Sequence, residues 1–141
     1  MIISDPFAFQ WLSKDHSKCL NVTFVDIDYQ ELIEKKCEVI TKTPQLQDLL
    51  QPLDASKSTG PILFRSKHYL ALGCDLTDIK GLESYMNSEF DMSDCLILCT
   101  AEVSVTYMNV EAADSLIAWA ARYNNSMLHR SLRLIHFLLI L

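Results

Sequence analysis

Val22-Thr23-Phe24-Val25-Asp26-Ile27-Asp28 is an apolar run that ends on a carboxylate and gives way at once to a helix-like stretch. The pattern returns in Tyr69-Leu70-Ala71-Leu72-Gly73-Cys74-Asp75 and in Leu96-Ile97-Leu98-Cys99-Thr100-Ala101-Glu102. Short, nearly continuous apolar runs are what a parallel sheet covered on both faces requires of its strands. Ligands of such open sheets bind in the crevice beyond the carboxyl ends of the strands. Acids at three successive strand ends would therefore converge on one small molecule, a placement that burial alone does not demand.

Between these runs the spacing predicts helices. Gln30 to Thr41 carries Leu32, Ile33, Cys37 and Ile40 on one helical face, with Glu31 and Lys35 spaced for an i,i+4 pair. Thr43-Pro44 opens a second, short helix through Leu46, Leu49 and Leu50, with Thr43 as cap and Pro44 at the first position. Residues 51–61 gather Ser, Thr, Gly and Pro and read as an exposed loop inside the domain. Asp78 is placed to cap a helix carrying Ile79, Leu82, Tyr85 and Met86, and Asn109 to cap one carrying Ala113, Leu116, Ile117, Ala120 and Ala121. Cys95 to Ala101 is almost wholly apolar and is expected to be a central strand. Strand alternating with helix implies right-handed crossovers and a parallel α/β sheet with helices on both faces.

Composition narrows the function classes. The chain has 141 residues, 50% of them hydrophobic and 21% charged, which is enough for one domain with a real core. A net charge of −6 supplies no global attraction to nucleic acid or to an anionic membrane. Five cysteines, at 19, 37, 74, 95 and 99, are odd in number and partly inside apolar runs, as core thiols in a reducing compartment would be. Cys95 and Cys99 in one strand stand roughly 13 Å apart at about 3.3 Å per residue, too far to share a metal. His16, His68, His129 and His136 have no metal-ligand spacing either, and no metal site is expected. The first residues lack a basic segment followed by a long apolar one, so a cytoplasmic protein is expected.

The two ends differ from the middle. The chain starts with a helix-like Phe7-Ala8-Phe9-Gln10-Trp11-Leu12 where a doubly wound sheet would open with a strand and a glycine-rich turn. Leu132 to Leu141 is apolar apart from Arg133 and His136, about half of the ~20 residues needed to span a bilayer. It reads as an exposed tail or a final strand, not as a membrane anchor.

Asp5-Pro6-Phe7-Ala8-Phe9-Gln10, Phe24-Val25-Asp26-Ile27-Asp28-Tyr29, Leu72-Gly73-Cys74-Asp75-Leu76-Thr77-Asp78 and Ala101-Glu102-Val103-Ser104-Val105-Thr106-Tyr107-Met108 resemble, in order and spacing, successive motifs of the leucine carboxyl methyltransferase family. The first and last of these most resemble its fungal branch, which modifies the wybutosine base of phenylalanine tRNA. The resemblance implies an enzyme dependent on S-adenosyl-L-methionine, with a partial Rossmann-like class I fold over residues 1–125 and a divergent apolar tail over 126–141. It implies that Asp28, Asp75, Leu76 and Glu102 contact the cofactor: Asp28 accepting from ribose hydroxyls, Asp75 accepting from the adenine amine, Leu76 packing on the ring. Tyr107 falls toward the substrate side and is expected to help place the acceptor. The substrate implied is phenylalanine tRNA, the alternative is the C-terminal leucine of a phosphatase catalytic subunit, and a non-catalytic binding fragment is the reading outside the family.

Methyl transfer from a sulfonium to a carboxylate needs no general base, because the nucleophile is already ionised at neutral pH, and catalysis reduces to alignment. The remaining polar residues have plainer readings. Asp26 is expected to be structural, Asp78 a helix cap, Trp11 and Trp119 core, and Lys14, Lys18, Lys35 and Lys36 a solvated face. The missing glycine-rich turn implies weak or no cofactor binding by this chain and points to a piece of a longer domain.

Overall fold

The computed structural model describes residues 12–14, 21–51, 60–101, 104–124 and 133–139. Its elements are β1 (Val22–Asp28), α1 (Gln30–Lys42), α2 (Pro44–Leu50), β2 (Ile62–Arg65), β3 (Tyr69–Gly73), α3 (Ile79–Glu89), β4 (Cys95–Ala101), α4 (Val110–Asn124) and β5 (Arg133–Leu139). The five strands form one sheet in the order β2-β3-β1-β5-β4. β1 pairs in parallel with β3 and β5, and β5 in parallel with β4, whereas β2 is antiparallel to β3.

The chain is thus an α/β protein with a mixed sheet, not the wholly parallel one expected. The antiparallel member, β2, is joined to β3 by Ser66-Lys67-His68 alone, too short for a parallel crossover, which needs a dozen or more residues. The Ser66 amide donates to the Tyr69 carbonyl at 2.8 Å and closes the turn. Four residues with a bulge in the middle leave little alternation to read.

A second correction concerns β4, which is the edge strand of the sheet; its Leu98 is 51% exposed. The central place next to β1 belongs to β5, supplied by residues that read as either a tail or a final strand. Its nearly unbroken apolar sequence is of the kind found in the strands of parallel sheets.

Two cores flank the sheet. On one face Val25 and Ile27 of β1, Leu70 and Leu72 of β3 and Ile97 of β4 meet Leu82 and Met86 of α3 and Leu116 and Trp119 of α4. On the other, Phe24, Tyr69 and Ala71 meet Ile33 and Ile40 of α1, Leu50 of α2 and Leu12. Trp119 is core, as expected; Trp11 lies outside the described residues.

The helices follow the expected spans with local departures. In α1 the buried positions are Ile33, Lys36 and Ile40, and Leu32 is exposed, so a lysine sits where the apolar pattern placed neighbouring residues. The side-chain pairs on its surface are Gln30 with Glu34 at 2.8 Å and Lys42 with Glu38 at 3.0 Å. Thr43 does not cap α2 with its side chain: its hydroxyl donates to the Val39 carbonyl at 2.7 Å and finishes α1, while Pro44 starts α2. Asp78 caps α3 by accepting from the Gly81 amide at 3.0 Å, and Asn109 caps α4 by accepting from the Ala112 amide at 2.8 Å. On α4 the core stripe is Ala113, Leu116 and Trp119, and Ile117 is exposed.

Candidate functional site

β1 and β3 run in parallel and end side by side, Asp28 in register with Gly73. The Cys74 amide donates to the Asp28 carbonyl at 2.8 Å, so the ladder is held to its last residue. The α1 backbone crosses close over this end: a Cβ on Gly73 would stand 2.9 Å from the Cα of Gln30. Glycine is needed here for the approach of a neighbouring backbone.

Asp28 is 5% exposed, and its Oδ1 accepts from the Tyr29 amide at 2.7 Å. Burial pushes its carboxyl from 3.8 up to about 6, and the Tyr29 hydrogen bond only partly offsets that. Oδ2 carries no hydrogen bond among the described residues. Asp75, two residues beyond Gly73, is exposed; its Oδ1 accepts from the Thr77 amide at 2.9 Å and from the Thr77 hydroxyl at 2.8 Å, an Asx turn that fixes the entry to α3. Asp28 and Asp75 therefore do lie on one rim, at the ends of neighbouring parallel strands.

Leu76 and Tyr107 are placed differently. Leu76 is fully buried in the core shared by β1, β3, α3 and α4, so its side chain supports the Asp75 turn from beneath. Glu102 lies outside the described residues; β4 ends at Ala101, in register with Leu139 of β5, which in turn pairs with Ile27 of β1. One whole strand thus separates the β4 end from the Asp28 end. Tyr107, on the 3-10 turn Ser104–Tyr107, is 76% exposed.

The residues beneath the rim were not legible as a group. Asp26, 1% exposed, accepts at Oδ2 from the Lys36 ammonium and from the Tyr69 hydroxyl, the latter at 2.5 Å, while its Oδ1 has no partner. The Lys36 Nζ also stands 5.6 Å from the centre of the Tyr69 ring. Lys36 is 3% exposed, which corrects its assignment to a solvated face. Asp26 is structural, as expected, and its partners tie β1 to α1 and to β3 two residues before Asp28. The signal that could have found them is chemical: a carboxylate inside an apolar run needs a cation, and Lys36 lies on the same helical stripe as Ile33 and Ile40.

The described cysteines add no reactive group to the rim. Cys37, Cys74 and Cys99 are free thiols, and burial pushes all three up to about 11, away from the thiolate. Cys74 and Cys95 are core, as expected; Cys19 lies outside the described residues. Among the described residues no group of three potential ligands could hold a metal ion, and no helix is long and apolar enough to cross a membrane.

The fold and site together define an α/β protein with a carboxylate rim at the ends of adjacent parallel strands. No protein-family model matches the chain. It is 44% identical over 121 residues to the tRNA wybutosine-synthesizing protein 4 of Aspergillus fumigatus, 38% over 128 residues to that of Eremothecium gossypii and 31% over 120 residues to that of Schizosaccharomyces pombe. These matches cover 86%, 86% and 84% of this chain but only 12%, 18% and 18% of the three relatives. By sequence the chain is a relative of one segment of the fungal tRNA wybutosine-synthesizing protein 4 family, spanning less than a fifth of the length of these curated relatives.

Proposed function

We propose that the chain is a segment of a Rossmann-like carboxyl methyltransferase that uses S-adenosyl-L-methionine and acts in wybutosine synthesis on phenylalanine tRNA, methylating a side-chain carboxyl of the modified base and methoxycarbonylating its amine. The observation that carries the reading is the 31–44% identity, over most of this chain, to proteins named for wybutosine synthesis. Those names favour the tRNA over the phosphatase catalytic subunit as substrate. The parallel part of the sheet, β3-β1-β5-β4, supports the fold reading, since its seating matches the 3-2-1-4 order of a doubly wound sheet with β5 in the first seat.

The residues present fit the cofactor in chemistry. Asp28, an acceptor at the rim whose Oδ2 carries no hydrogen bond among the described residues, suits paired ribose hydroxyls, and Asp75 beside it suits an exocyclic amine. Glu102 is assigned to the same cofactor, and Tyr107 to placing the acceptor. Leu76 acts by holding the Asp75 turn. When bound, the cofactor supplies an electrophilic methyl group; the protein supplies position and orientation, and an already ionised carboxylate nucleophile needs no general base.

The test is radiolabel transfer by an intact relative from labelled S-adenosyl-L-methionine to tRNA carrying the unmethylated wybutosine precursor, with the phosphatase catalytic subunit as the competing substrate. Label on tRNA, lost when the position aligned with Asp28 becomes alanine, is the expected result. Label on the phosphatase alone would overturn the assignment.

A further inference from the structure

α1 carries apolar side chains over more of its circumference than it buries. At about 100° per residue, Val39, Leu32, Ile40, Ile33 and Cys37 follow one another around an arc of about 160°. The buried residues of the helix are Ile33, Lys36 and Ile40; Leu32 and Val39 are 44% and 41% exposed on one flank of the arc, and Cys37 is half-buried on the other. Apolar contact is non-directional and would seat such a helix over a range of rotations. Lys36 falls inside the arc, between Leu32 and Ile40, and its bonds to the sheet do have a direction. The ammonium donates to Asp26 Oδ2 of β1, which the Tyr69 hydroxyl of β3 also reaches at 2.5 Å, and it stands 5.6 Å from the centre of the Tyr69 ring.

The rotation of α1 matters because the helix begins one residue after β1. Tyr29 is the whole connection: its amide donates to Asp28 Oδ1 at 2.7 Å, and its carbonyl accepts from the Leu32 and Ile33 amides at 3.0 and 3.1 Å. Asp26 and Asp28 share one face of β1, about 6.6 Å apart along the strand. Turning α1 therefore turns the peptide group that orients Asp28, and it displaces the Gln30 Cα that passes over Gly73. We propose that Lys36 is a positioning residue for the rim: with Asp26 and Tyr69 it selects the rotation of α1, and so the orientation of the Asp28 carboxylate, a task that apolar residues of similar volume would not perform. A buried ion pair gains little net stability over such residues, and fixing the register of one element on another is its best-attested use. The bearing on the cofactor rests on the function proposed above, whereas the rim geometry is tested without any ligand, so the two fail separately.

Amide proton–nitrogen correlation spectra of the full chain test it, because a hydrogen bond weakens steeply as its geometry departs from ideal. In the parent chain the Tyr29 amide is expected as one signal that moves as Asp28 ionises near pH 6. Asp26→Leu with Lys36→Met is expected to unfold close to the parent's urea midpoint, yet to split or broaden the Tyr29, Gln30 and Gly73 amides and to cut the pH-dependent movement of Tyr29 at least about twofold. Tyr69→Phe, which deletes one hydroxyl and keeps the ring, is expected to change the same three signals in the same way and by less. Ile33→Val deletes a core methylene equivalent from the same stripe, lowers the urea midpoint and is expected to leave the three signals as in the parent. A single Tyr29 signal moving as in the parent, in Tyr69→Phe or in the double variant, would overturn the proposal, and so would equal splitting in Ile33→Val.

Discussion

Lys36→Met removes an ammonium from beneath the rim and keeps most of the stem that fills its place. In the parent chain Lys36 and Asp26, 3% and 1% exposed, form an ion pair closed by the Tyr69 hydroxyl, and Asp26 Oδ1 is already without a partner. The variant leaves Asp26 buried against Tyr69 alone. Breaking a buried pair from one side costs about 3–5 kcal/mol, because the remaining charge keeps its desolvation penalty and loses its compensation. Replacing both members with apolar groups of similar volume removes that penalty, so Asp26→Leu with Lys36→Met is expected to recover most of the loss. Urea unfolding followed by circular dichroism gives the three free energies, and the coupling between the two positions follows from the double-mutant cycle. A loss below about 1 kcal/mol for Lys36→Met, or a double variant no more stable than the single one, would refute the reasoning.

Other consequences are read as easily. Gly73→Ala puts a Cβ 2.9 Å from the Gln30 backbone and is expected to cost about 1–3 kcal/mol in the same unfolding assay, since backbone and not a side-chain tip must move. Asp28 has a folded value raised to about 6, so its contribution to stability is full below the unfolded value of 3.8 and is lost as pH rises through 6. Asp28→Asn is therefore expected to match the parent near pH 4 and to exceed it by roughly 1 kcal/mol above pH 7, a figure reduced for the nearness of solvent at the rim. Asp78→Ala removes the cap on the Gly81 amide and is expected to lower stability by about 1 kcal/mol, with α3 amides the first to lose exchange protection.

The parts of the fold written in local chemistry were legible in the chain. β1 and β3 announced themselves as short apolar runs, and Asp78 and Asn109 marked helix starts because a cap is a contact between near neighbours. What could not be read depended on partners distant in sequence. Lys36 reads as surface until Asp26, ten residues away, is placed beside it. The antiparallel β2 has only four residues, and nothing in Cys95–Ala101 tells a central strand from an edge strand that another segment borders. The apolar stretch at 133–139 became intelligible only through its two neighbours in the sheet. At the site, Asp28 and Asp75 were legible as acids at strand ends. The burial of Leu76 was not, because the cluster that surrounds it draws on α3 and α4 as well as on β1 and β3.

The central claim is that the Asp28 carboxylate at the end of β1 holds the cofactor. Equilibrium dialysis of the full chain against labelled S-adenosyl-L-methionine, beside Asp28→Ala and the surface control Glu38→Ala, tests it most directly. The account predicts weak, saturable binding that falls at least about tenfold in Asp28→Ala, the loss of a hydrogen-bonded charged acceptor, and stays unchanged in Glu38→Ala. Equal binding by the parent chain and Asp28→Ala would contradict it.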